Sequence, residues 1–210
     1  MTHRLKEGCK RGFYALVVFL LHLLARMLFR LRVTGRDMLT KDTGYIVVAR
    51  HRSYWDIPLL AVALGIKNRI HFIARKGLLK NPIFNPLIKL YATAIDRDNF
   101  TRADFRRVLE AVRRERLVGI FPEGTTRNSV DAKAGAIRFA QLSGKKLLPV
   151  NIRAEGPYPP RYPFSFPRIT VSIGRPVSVT ELEEEVAEDL PRYERTQRMS
   201  QRLMELVDAA

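Results

Sequence analysis

From residue 44 onward the chain alternates short apolar, β-branched runs with segments of helical spacing, and this pattern restricts the fold more than any other feature. The runs are YIVVA (45–49), RIHFIAR (69–75), TAIDR (93–97), LVGIF (117–121), KLLPVNIRA (146–154) and RITVSIG (168–174). Between them lie SYWDIPLLAVALGI (53–66), a proline-broken stretch (78–93), TRADFRRVLEAVRRERL (101–117) with Thr101 as N-cap, and DAKAGAIRFAQLSG (131–144) with Gly144 as the residue after the helix. A helical tail from about Thr180 to Val207, interrupted at Pro191, closes the chain. Strand–helix–strand alternation predicts an α/β fold, a mixed, largely parallel sheet flanked by helices. The length of 210 residues fits one such domain.

The segment before it is different. RGFYALVVFLLHLLARMLFRLRV (11–33) is the most hydrophobic stretch of the chain. Its uncharged part, Gly12 to Ala25, would span only about 21 Å as a helix, against a bilayer core of roughly 30 Å. Arg11, His22, Arg26 and Arg30 fall within an arc of about 100°, and Leu, Val, Phe and Met fill the rest of the circumference. A basic stripe on an apolar cylinder suits a helix lying in the headgroup region. A core-packing helix with snorkelling arginines is the competing reading. Residues 1–33 are therefore expected to be an amphipathic membrane-docking segment, and residues 34–210 to carry the chemistry.

Charge agrees with an anionic partner. There are 37 Lys and Arg against 21 Asp and Glu, a net charge of +16, and residues 1–180 alone carry +21. Phospholipid headgroups, nucleic acid and acidic carriers all fit such a surface. The single Cys9 excludes an internal disulfide and a cysteine metal cluster.

In sheets of this class ligands collect at the strand carboxyl ends. Two polar segments fall there, RHRS after 45–49 and PEGTTRN after 117–121. Ser53 and Asp56 form S-x-x-D ahead of an apolar run, a capping signature that would start a helix at Ser53. His51 would then stand off the helix, free to fold back so that Asp56 accepts from one ring nitrogen and the other serves as a base. In the second segment Gly124 permits close backbone approach, and Arg127 adds a fork for phosphate. G-x-S-x-G, H-E-x-x-H, G-x-x-x-x-G-K-[ST] and G-x-G-x-x-G are all missing, which disfavours elbow hydrolases, zinc proteases, P-loop enzymes and dinucleotide binders. His71, on a strand, reads as structural.

In this arrangement the chain resembles the glycerolipid acyltransferases of the 1-acylglycerol-3-phosphate acyltransferase type. RHRSYWD matches the N-H-x4-D motif with His51 and Asp56 in register, and FPEGTTRN (121–128) matches F-P-E-G-T followed by Arg. Residues 74–97 follow the layout of the second motif, and LLPVNI (147–152) that of the fourth. Arg50 replaces the usual Asn, Asn85 stands where Gly is frequent, and Thr126 shifts Arg127 by one position. The resemblance implies acyl transfer from acyl-CoA or acyl-carrier protein to the sn-2 hydroxyl of 1-acylglycerol-3-phosphate, giving phosphatidate. It implies His51 and Asp56 as the catalytic pair. Lys76, Arg97, Glu123, Gly124, Thr125 and Arg127 would hold the acceptor, with no metal or redox cofactor. It further implies a lysophospholipid acceptor met at an anionic membrane, on the cytoplasmic face, through a peripheral or monotopic N-terminal helix. Lyso-ornithine lipid and glycerol-3-phosphate are alternative acceptors. A nucleic-acid module fits the charge but lacks the aromatic motifs of such binders, and a membrane scaffold would need no His51.

Overall fold

The structure, a computed structural model, describes residues 2–82, 84–96, 99–122, 135–161, 165–186 and 190–210, with side chains from residue 7. In chain order the elements are α1 (Thr2–Phe29), β1 (Arg32–Thr34), β2 (Tyr45–Val48), α2 (Asp56–Leu64), β3 (Ile70–Arg75), α3 (Phe84–Tyr91), β4 (Ala92–Ile95), α4 (Arg102–Arg114), β5 (Leu117–Ile120), α5 (Gly135–Ser143), β6 (Lys146–Glu155), β7 (Arg168–Ile173), α6 (Val179–Glu184) and α7 (Arg192–Ala209). The strands form one seven-stranded sheet in the order β1-β7-β6-β2-β5-β3-β4. Strands β2 to β6 are mutually parallel, β7 is antiparallel to β6, and β1 runs parallel to β7. The expected mixed, largely parallel sheet is thus present. Strand β1 escaped the sequence reading because three residues, RVT, are too few to display a period.

Side-chain alternation along the strands divides the core into two layers. Tyr45, Val47, Ile70, Phe72, Leu117, Leu148 and Val150 pack with α1 and α2 on one face. Ile46, Val48, Val118 and Leu147 pack with α4, α5, α6 and α7 on the other. Both faces are covered, which is why the parallel strands read as continuous apolar runs rather than alternating ones.

Local chemistry sets the boundaries. Thr101 and Asp104 cap α4 reciprocally, with Asp104 N–H on Thr101 Oγ1 at 3.1 Å and Thr101 N–H on Asp104 Oδ2 at 3.0 Å. Gly144 follows α5 at φ +70° and donates its N–H to the Ala140 carbonyl at 2.9 Å, as expected for a left-handed stop. Residues 131–134 of that predicted helix lie outside the described residues. The tail divides into α6 and α7, with Pro191 at the N-cap of α7. Helix α2 starts later than Ser53, because the Asp56 N–H closes a turn onto the Ser53 carbonyl at 3.1 Å before the helix begins. At its other end the Arg36 guanidinium donates to the carbonyls of Val62 (3.0 Å) and Ala63 (2.8 Å), satisfying groups that the helix leaves unpaired.

Helix α1 has three sides. Tyr14, Val18, Ala25 and Phe29 are buried against the first core layer. On the opposite side, by the 100° step, stand Leu16, Leu20, Leu23 and Met27, exposed by 55%, 55%, 50% and 73%. His22, Arg26 and Arg30 occupy an edge between the two. Polar contacts hold the first half of the helix. Arg69 bridges Glu7 (3.1 Å) and Glu115 (3.2 Å), the Ile70 N–H donates to the Tyr14 hydroxyl (3.3 Å), and the Tyr91 hydroxyl donates to the Lys10 carbonyl (2.8 Å). Burial pushes the Tyr14 phenol up to about 12. The last turn is held by Phe29, edge-on to Trp55 at 4.9 Å and to Phe166 at 5.7 Å. Glu7–Phe29 is long and apolar enough to cross a membrane by length and composition, yet one seam of it is part of the core.

His71 is structural in position as well as in sequence. Its Nε2 hydrogen-bonds Thr93 Oγ1 at 2.9 Å, and burial lowers its pKa from 6.5 to about 4. The neighbouring Glu115 carboxylate, from the end of α4, opposes that shift without reversing it.

Two outcomes follow from this packing. Phe29→Ala should lower the unfolding free energy in urea by about 3–5 kcal/mol, whereas a merely tethered α1 would give almost no loss. Because the folded His71 stays neutral while the unfolded chain takes up the proton first, stability should fall as pH drops from about 6.5 to about 4. His71→Gln should flatten that interval in urea midpoints measured across pH.

Candidate active site

Strands β2 and β5 are hydrogen-bonded neighbours, with Val48 opposite Ile120 at their carboxyl ends. The two polar loops therefore leave the sheet side by side, at the crevice where ligands settle in this class of fold. His51, two positions beyond the buried Ala49, stacks on Phe121 with ring centroids 4.3 Å apart. Phe121 in turn stacks over Phe72 of β3 at 6.3 Å, so the imidazole rests on an aromatic shelf.

Asp56 is the first residue of α2 and has no solvent exposure. A buried carboxylate must be hydrogen-bonded, and this one is. Oδ2 accepts from the backbone N–H of Arg52 (2.6 Å) and of Ser53 (2.7 Å), and lies 3.2 Å from His51 Nδ1. Oδ1 accepts from the Tyr158 hydroxyl, which arrives from the β6–β7 connection. The helix N-terminus adds its own positive field. Burial, with the Asp56 carboxylate beside it, pushes the Tyr158 phenol far above its usual value, so it remains a donor. The predicted capping box is half formed. Asp56 takes the Ser53 N–H, while the Ser53 hydroxyl accepts from Trp55 N–H at 3.2 Å instead of from Asp56. Capping and pairing with His51 are thus two uses of one carboxylate.

His51 lines a cleft of about 340 Å³. Its walls are apolar: Ile57, Phe72, Ile73 and Leu78 on one side, Ile95, Phe100, Phe105 and Val108 beyond, and Phe121, Ala136 and Phe139 toward α5. The one cation among the described lining residues is Arg75, at the end of β3. A histidine–carboxylate pair beside an apolar cavity can take a proton from a hydroxyl and keep a long hydrocarbon out of water.

The structure brings His51 and Asp56 together and leaves Lys76 exposed at the start of the turn Lys76–Lys80, which sends Leu78, but not Lys76, to the described lining. Arg97, Glu123, Gly124, Thr125 and Arg127 lie outside the described residues. Two departures from the motif pattern have local explanations. Arg50 forms a two-point pair with Asp208 of α7, at 2.6 and 2.7 Å, and so ties the loop to the tail. Asn85 closes the turn ahead of α3 through its side-chain N–H on the Leu79 carbonyl at 2.6 Å. Sequence reasoning missed Arg75 and Tyr158. Arg75 is adjacent to Lys76 and equally basic, while the segment GPYPP (156–160) holds no local pattern that points to the site.

Comparison with known proteins extends this geometry. A family model described as acyltransferase matches residues 30–153. The chain is 29% identical over 181 residues to the 1-acyl-sn-glycerol-3-phosphate acyltransferase of Bacillus subtilis, covering 83% of this chain and 87% of that protein. It is 31% identical over 144 residues to the protein of the same name from Streptococcus pneumoniae, covering 68% of this chain and 53% of that one. The crystal structure of the 1-acyl-sn-glycerophosphate acyltransferase PlsC from Thermotoga maritima has the same fold, with a TM-score of 0.74 at 23% identity over 97% of this chain and 80% of that one. The family match runs from β1 through most of β6 and takes in the segment that carries His51 and Asp56, and the chain belongs to the acyltransferase family.

Proposed function

We propose that this enzyme transfers a fatty acyl group from a thioester, acyl-CoA or acyl-carrier protein, to the sn-2 hydroxyl of 1-acylglycerol-3-phosphate, giving phosphatidate. The observation that carries the proposal is the His51–Asp56 contact, 3.2 Å between Nδ1 and Oδ2, at the wall of an apolar cleft. With Nδ1 turned to Asp56, Nε2 is the base. It takes the hydroxyl proton as the oxygen bonds to the thioester carbonyl carbon. The C–S bond then breaks, and the thiolate leaves with the proton returned by the imidazolium. Asp56 holds the ring in one tautomer and offsets the imidazolium charge. The acyl chain lies among Phe72, Phe105 and Phe139. Lys76, Arg97, Glu123, Gly124, Thr125 and Arg127 hold the acceptor phosphate, and Arg75 adds a cation on the cleft side. The names of the relatives from Bacillus subtilis and Streptococcus pneumoniae support this choice of acceptor.

The enzyme meets its lipid at an anionic membrane on the cytoplasmic face, with residues 1–33 as the docking segment and residues 34–210 as the catalytic unit. The outward seam of α1, Leu16, Leu20, Leu23 and Met27, enters the interface as a peripheral or monotopic helix. Beside it His22, Arg26, Arg30, Arg32 and Arg36 line a basic groove. Among the described residues no carboxylate pairs with Arg26, Arg30 or Arg32, which leaves their charge available to headgroups. A full bilayer crossing is disfavoured, because it would strip Tyr14, Val18, Ala25 and Phe29 from the core.

His51→Ala should reduce lysophosphatidate-dependent thiol release from acyl-CoA by roughly a hundredfold or more while sparing liposome binding. Near-full turnover in that variant would end the mechanism. Replacing both Leu20 and Leu23 by Glu should weaken partition onto anionic liposomes by about tenfold or more, with the urea midpoint unchanged because both side chains are exposed. Undiminished sedimentation with liposomes would remove α1 from membrane docking.

A further inference from the structure

Asp56 has a second side-chain partner besides His51. We propose that Tyr158 is a positioning residue for the acyl transfer, fixing the Asp56 carboxylate as an oriented anion so that Oδ2 stays committed to His51. The proposal rests on the reading of His51 as the base. It also reaches beyond the family match, since Tyr158 lies outside residues 30–153.

Three observations converge on it. First, Asp56 is sealed from solvent, so water cannot serve an oxygen that loses its partner. Second, the partners divide between the two oxygens. Oδ2 takes the Arg52 and Ser53 N–H groups and faces His51, while Oδ1 takes the Tyr158 hydroxyl. Third, Tyr158 is itself held. The Arg52 guanidinium sits 5.6 Å from its ring centroid and donates to the Ile152 carbonyl of β6. Among the described residues, the charged and titratable groups gathered around the carboxylate are therefore His51, Tyr158 and Arg52, the last through its backbone N–H and its stack on the tyrosine.

The chemistry gives the hydroxyl a specific task. Without it, Oδ1 is a buried carboxylate oxygen with no donor among the described residues. The carboxylate then rotates to bring that oxygen to another donor, which breaks the bond to Nδ1. His51 thereby loses the anion that orients it. No bond to substrate is involved, so substrate binding should be spared.

Tyr158→Phe tests this directly, since it keeps the ring under Arg52 and deletes only the hydroxyl. The expected result at neutral pH is a fall in kcat of roughly tenfold to a hundredfold, with KM for acyl-CoA and for lysophosphatidate within about twofold of the parent. The acid limb of the kcat/KM profile should be displaced from its parent position, because the anion that faces the base is no longer held in place. Thermal midpoint and liposome binding, measured in parallel, establish that the variant is folded and docked. A kcat and an acid limb both equal to those of the parent would overturn the proposal and leave Tyr158 a packing residue. A lowered kcat with an unmoved limb and a raised KM would also overturn it, placing the hydroxyl on the substrate instead. If His51→Ala retains turnover, the reading of the base fails whatever Tyr158→Phe does, so the two failures are distinguishable.

Discussion

A carboxylate with no access to water governs the geometry of this enzyme's working end. Asp56 begins a helix whose residues are almost all buried, and an anion in that position survives only if its lone pairs are met by donors. Meeting them dictates the path of the chain. Residues 51 to 55 must curl so that two successive N–H groups point at Oδ2, and that curl carries the His51 ring to the same oxygen. A distant loop, 102 positions away, must bring Tyr158 to the other oxygen. Stability of the helix start and alignment of the imidazole are consequently one requirement.

The sheet supplies the second condition. Because β2 and β5 are adjacent and parallel, chain segments far apart in sequence emerge from the same edge, and Phe121 is close enough to stack on His51. Both strands are buried on both faces, and Gly119 of β5 leaves room for Phe72, whose ring atoms would lie 2.7 Å from any Cβ placed there. The aromatic shelf beneath His51 thus depends on a missing side chain in the neighbouring strand. An apolar cleft opening beside that shelf suits a reaction in which one reactant brings a hydrocarbon chain.

How much of this could be read from the sequence depended on the range of the interaction. The six longer strands, the Thr101 cap and the Gly144 stop were legible because each follows from residues within a few positions of one another. The pairing of His51 with Asp56 was legible for the same reason. Tyr158 was not, because its contact is made by tertiary folding and the surrounding GPYPP segment carries no period. Arg75 and Lys76 could not be told apart by composition, since which of two adjacent cations faces a cleft is decided by the strand end and the turn that follows it. The first thirty residues were legible as an amphipathic helix. Hydrophobicity alone could not separate the seam that meets protein from the seam that meets something else, because both are built from Leu, Phe and Val.

That doubled character of α1 limits what can be done with it at the bench. Cutting off a greasy leader is the usual route to a detergent-free catalytic fragment, but here the cut would remove Phe29 and Val18 from the interior and expose the wall they cover. The fragment would aggregate for want of a lid, and its lost activity would say nothing about lipid. A water-compatible form has to be made by repainting the outward row of leucines with polar residues while leaving the inward row in place.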